Sequence, residues 1–138
     1  MTHLPSTAIL DAFNKATTSE QQFLFAAERN CFPYFLDIDT NEQLLPNASE
    51  KCVSFPASPT AYKWLNAGNW AAKRNVAVLL LERWAHELIN NPDAWDDQHI
   101  VSEFYLENDV RISIVLDFRQ LIFQTMHLVK HDVDSNTM

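Results

Sequence analysis

Gly68 is the only glycine in a chain of 138 residues, against a usual share of about 7%. Glycine-rich phosphate loops of the Walker or Rossmann kind need several glycines at fixed spacing, so neither can be built here. Any nucleotide bound by this chain needs another device to hold its phosphates. Glycine scarcity does not mean a missing core: 47% of the residues are apolar, with nine Phe, four Trp and three Tyr. That excludes a fully disordered chain and suits one domain of ordinary size.

Charge narrows the partners. Eighteen Asp and Glu against ten Lys and Arg give a net charge of −8 with no basic stripe, so binding to nucleic acid or an anionic membrane by bulk charge is not expected. No apolar run approaches the roughly 18 residues of a membrane helix. The start, Met1-Thr2-His3-Leu4-Pro5, lacks the basic and apolar regions of a secretory signal, so a cytoplasmic chain is the expectation. Cys31 and Cys52 are the two cysteines. They read as free, buried or half-buried thiols, with one bridge left open as the alternative.

Along the chain, Thr7 to Lys15 reads as a short helix, and Gln22 to Ala27 as a buried aromatic strand. Glu28 to about Pro59 carries Pro33, Pro46, Pro56 and Pro59 and shows no period, so it reads as a long loop. Residues 61–66 form a second strand closed by Ala67-Gly68-Asn69. The strongest helix follows over 73–89, with Ala77, Leu80, Leu81, Trp84, Leu88 and Ile89 on its apolar face and Arg74, Glu82 and Arg83 pointing outward. Asn90, Asn91 and Pro92 stop it. A further helix opens at Ala94-Trp95-Asp96-Asp97, and residues 111–117 and 121–124 read as two more strands. The pattern predicts an α/β fold with a mixed sheet of about four strands and flanking helices. Residues 1–129 read as one domain and 130–138 as a polar tail.

Asp96-Asp97 is the most suggestive pair. Two carboxylates at a helix start either cap the helix and complement its dipole or orient a hydroxyl and help hold a divalent ion. Asn66-Ala67-Gly68 is a plain turn or a place where backbone approaches a ligand. Asp37 and Asp39 have the spacing of a DxD metal motif but sit in the Pro-rich loop and read as a solvated turn. His3, His86, His99, His127 and His131 form no zinc pattern, and neither cysteine belongs to a nucleophile signature.

Four pieces, in order, carry a family resemblance: Phe23-Leu24-Phe25-Ala26-Ala27-Glu28 leading to Cys31-Phe32-Pro33; Tyr62-Lys63-Trp64-Leu65-Asn66-Ala67-Gly68; Asp96-Asp97-Gln98; and Leu116-Asp117 followed by Ile122-Phe123-Gln124. They resemble the "FSAE…CWP", "YLNSGG", "DDQ" and "LD…IFQ" stretches of the glycosyltransferase domain in the procollagen lysyl hydroxylase and collagen galactosyltransferase-like family. The lead-in Ile9 to Lys15 resembles the family's preceding helix, so the likeness runs from about residue 8 to 126. It implies the second half of a GT-A-type fold, a UDP-sugar donor and Mn²⁺ acting as Lewis acid on the diphosphate. By position it places Asp96 and Asp97 as the catalytic acidic pair, with Asn66, Gly68, Trp64, Phe32 and Trp95 around the donor.

There are departures. Phe32 stands where the family has Trp, and Asn69 where it has a second Gly. The family's metal-binding DxD strand would lie upstream of Met1, and its "HGNG"-like stretch does not follow Met126. The implied function is transfer of a hexose from a UDP-sugar to a hydroxyl acceptor, weak or absent in this chain alone. The alternative is a non-catalytic carbohydrate-binding or protein-interaction module on the same fold. Trp64, Asn66, Gly68, Trp95, Asp96 and Asp97 are expected to converge on one concavity. A half-sheet would also leave Phe23-Leu24-Phe25 as an open edge, which predicts a homodimer through that edge or the sheet face.

Overall fold

A computed structural model describes residues 6–36, 40–107 and 113–124. The elements are α1 (Ser6–Ala16), β1 (Gln22–Glu28), α2 (Ala48–Ser54), β2 (Trp64–Ala71), α3 (Arg74–Asn90), α4 (Asp97–Glu107) and β3 (Ser113–Asp117). Among the described residues they form a mixed α/β fold with a three-stranded sheet of order β2-β1-β3. β2 runs antiparallel to β1, and β3 runs parallel to it.

The continuous apolar run Phe23 to Ala27 is what a strand buried on both faces requires, and every residue from Phe23 to Glu28 is buried. Its rings organise the core. Phe23 stacks on Phe25 at 4.7 Å, and Phe25 meets Trp84 of α3 edge-on at 5.8 Å. Leu65 of β2, Leu80 of α3, Ile100, Val101 and Phe104 of α4 and Leu116 of β3 close the same cluster. β1 is therefore the central strand, paired on both sides, and the expectation that Phe23-Leu24-Phe25 forms an open edge is overturned. β2 and β3 flank it instead.

Four further expectations are corrected. β2 continues to Ala71 instead of closing at Ala67-Gly68-Asn69, because those three residues form a bulge: Ala26 pairs with Asn66 while the preceding Phe25 pairs with Trp70. Leu121 to Gln124 is not a strand. The buried Asp117 carboxylate accepts the backbone N–H groups of Leu121 (2.9 Å), Ile122 (2.8 Å) and Phe123 (3.0 Å), bending the chain over the end of β3. The inward face of α3 is Val76, Leu80 and Trp84, leaving Leu81, Leu88 and Ile89 exposed. The stretch from Glu28 to Pro59 contains the short helix α2.

Cys31 and Cys52 are bridged, with a Cα–Cα distance of 6.0 Å, so the free-thiol reading is corrected. The bridge ties the start of α2's last turn to the chain just beyond β1. Asp37, Asp39, His3, His127, His131, Arg111, Ile112 and the tail 130–138 lie outside the described residues.

Candidate active site

The parallel pairing sets Ala26 of β1 opposite Asp117 of β3, so both strands end on the same side of the sheet. In open α/β sheets ligands gather outside such carboxyl ends. β1 ends there on Glu28, which is only 6% exposed. Its Oε1 accepts from Gln98 Nε2 at 2.8 Å and its Oε2 from Asn66 Nδ2 at 3.4 Å. Burial pushes the Glu28 carboxyl up from the ordinary 4.5 to about 7, and the Gln98 and Asn66 hydrogen bonds pull weakly the other way. A carboxyl poised near neutrality is suited to taking or giving a proton at physiological pH.

The β2 bulge lies beside Glu28. Asn66 Oδ1 accepts the Gly68 N–H at 2.8 Å, folding the bulge back on itself. A Cβ on residue 68 would sit 2.9 Å from that oxygen, so the chain's one glycine stands where a side chain would crowd the turn. The neighbouring Ala67 N–H donates to Gln98 Oε1 at 3.0 Å, and Gln98 Nε2 also donates to the Phe32 carbonyl at 2.9 Å. Gln98 thus staples β1, β2 and the loop after β1 with one buried amide.

The start of α4 packs beside both through Gln98. Asp96 is its N-cap: Oδ1 accepts the His99 N–H at 2.7 Å. Burial raises the Asp96 pKa, and that backbone bond opposes the rise. Trp84 Nε1 donates to the Asp97 carbonyl at 2.9 Å, fixing the helix start against α3. Trp95, half exposed, meets Phe32 edge-on at 5.5 Å.

Asn66, Gly68, Asp96, Phe32 and Trp95 are therefore linked through Gln98 and its neighbours. Trp64 and Asp97 face elsewhere. The Trp64 indole donates to the Cys52 carbonyl at 3.2 Å and lines a cavity of about 160 Å³ beside the disulfide. Asp97 borders a groove with Leu81, Trp84, Ala85 and Leu88. Glu28 and Gln98 are the residues that sequence reasoning passed over. The signal for Glu28 was present, since it is the one charge closing an unbroken apolar strand.

The described residues do not fit a Mn²⁺ site. Among the described residues no group of three His, Cys, Asp or Glu is placed to hold a metal ion. Asp96 is engaged as a cap, and Asp97 Oδ1 accepts the Gln98 N–H at 2.9 Å.

Among known proteins, the sequence matches the family described as PLOD GT domain over residues 1–138. No curated protein and no solved structure matches it. With the whole chain covered, the protein belongs to the PLOD glycosyltransferase-domain family, and its α/β fold is a glycosyltransferase-like domain.

Proposed function

We propose that the cluster of Glu28, Asn66, Gln98, Asp96, Phe32 and Trp95 is the sugar and acceptor side of a hexosyl-transfer site. Its substrates are a UDP-hexose and a hydroxyl acceptor on a glycan or protein. The observation that carries the reading is Glu28: a buried carboxyl near neutrality at the carboxyl end of the central strand, between two amide side chains. In this role Glu28 accepts the acceptor hydroxyl's proton, while Asn66 and Gln98 hold the carboxylate in place. The Phe32–Trp95 pair offers an apolar flank to the sugar ring, and Asp96 offers a hydrogen-bond acceptor to its hydroxyls. Among the described residues no cluster of His, Cys, Asp or Glu is placed to hold the family's Mn²⁺, so no step runs through the metal.

That mismatch favours the second reading, carbohydrate binding without transfer, for this chain alone. The Cys31–Cys52 bridge supports an oxidising compartment over the cytoplasm.

Calorimetric titration with glucose, galactose, UDP-glucose and UDP-galactose, each with and without Mn²⁺, tests the proposal. The expected result is weak hexose binding that Mn²⁺ does not change. Asn66→Ala and Trp95→Ala should each weaken it at least about fivefold, the scale of one lost polar or ring contact. No hexose binding, or binding that needs Mn²⁺ and the nucleotide but ignores both substitutions, overturns the assignment.

A further inference from the structure

His99 sits one turn into α4, and its ring has a partner on each nitrogen side. Nδ1 accepts the Trp95 backbone N–H at 3.2 Å. That bond requires a bare Nδ1 and leaves the ring proton on Nε2, which faces Glu103 Oε1 at 3.8 Å. Tyr34, from the loop after β1, stands edge-on to the imidazole at 5.8 Å. The Tyr34 hydroxyl and the Lys51 ammonium of α2 hold Glu103 at 2.6 and 2.9 Å. The ring is thus held by groups from three elements while its Nδ1 reaches the one residue that presents its indole to Phe32.

We propose that His99 is a positioning residue for Trp95. Its Nδ1 tethers the Trp95 amide and so sets the Phe32–Trp95 pair. The tether is separate from the Asp96 cap, which uses the His99 backbone N–H and not the side chain. The tether stands on geometry alone and rests on the proposed sugar site only for its consequence, a change in hexose affinity.

Amide hydrogen exchange of Trp95, resolved by nuclear magnetic resonance in the full chain, tests it. At pH 8, His99→Asn keeps an acceptor oxygen near the Nδ1 position and should keep the wild-type protection. His99→Phe should exchange roughly tenfold faster, as expected for one lost hydrogen bond of ordinary net strength. Loss of protection in His99→Asn at pH 8 overturns the proposal, as does wild-type protection in His99→Phe. Unchanged Phe25 and Leu80 amides establish that each variant is folded. Hexose titration of the same variants is read separately, so failure of the sugar site leaves the exchange result intact.

Discussion

Gln98 and Glu28 lie 70 residues apart in the chain and are joined by a 2.8 Å hydrogen bond, Nε2 to Oε1. The same amide also satisfies the Phe32 carbonyl and the Ala67 N–H. Replacing it with an apolar side chain of similar size strands three polar groups, one of them a carboxyl. Gln98→Leu should therefore cost about 3 kcal/mol, the scale for leaving several buried polar groups unpaired. Urea unfolding at pH 7 reads this directly, with the midpoint falling and the slope unchanged.

Glu28 makes stability depend on pH in an unusual direction. Its carboxyl is raised from 4.5 to about 7 on folding, so between those values the folded chain holds a proton that the unfolded chain has lost. Stability from this group is full below about pH 4.5 and declines as pH rises to about 7, by roughly 3 kcal/mol as an upper bound. Glu28→Gln removes the titration. Thermal unfolding across pH 4.5 to 8 should show a descending component in wild type that is flattened in the variant.

Asp117 gathers three backbone N–H groups on one buried carboxylate. Asp117→Ala should cost about 3 kcal/mol or more, since charge-assisted bonds are lost and amides in a partly buried bend are left bare. Asp117→Asn keeps an acceptor oxygen and should recover part of the loss. Denaturant midpoints of the two variants, compared at one pH, order them.

The Cys31–Cys52 bridge closes a loop with a sequence separation of 21. Removing such a cross-link frees loop entropy in the unfolded chain worth about 3 kcal/mol in the chain-entropy treatment. The double variant Cys31→Ala/Cys52→Ala should unfold at a lower temperature than wild type. Dithiothreitol should lower the wild-type transition and leave the variant's unchanged.

What could be read from the sequence follows from how local each signal is. Five consecutive apolar residues, Phe23 to Ala27, announce a strand buried on both faces, and the structure agrees. The apolar residues of α3 announce a helix but not its inward side. Leu79, Leu81, Leu88 and Ile89 are as apolar as Val76, Leu80 and Trp84, and only the facing core chooses between them. Ala67-Gly68-Asn69 has turn composition because a bulge uses the same residue types as a turn, and no local feature says that pairing resumes at Trp70. Leu121 to Phe123 has strand composition, but the Asp117 carboxylate takes the N–H groups that a strand would offer. At the site, the Asp96 cap was legible from its place before a helix. The Glu28–Gln98–Asn66 arrangement was not, since its members meet only after three separate elements have packed.

The parallel partnership of β1 and β3 governs how the chain comes together in time. β3 begins at Ser113, and Phe32, Asn66, Trp95, Asp96 and Gln98 all lie in the crossover between it and β1. Closing that crossover costs more loop entropy than joining β1 to β2, and such high contact order slows folding. During synthesis, β2 and α4 leave the ribosome before β3 does, so the residues of the Glu28 network can meet while one edge of β1 still lacks its partner. In that interval Phe23-Leu24-Phe25 is a bare apolar edge, and its hazard of strand-to-strand aggregation belongs to the nascent chain, since the finished fold pairs that strand on both sides.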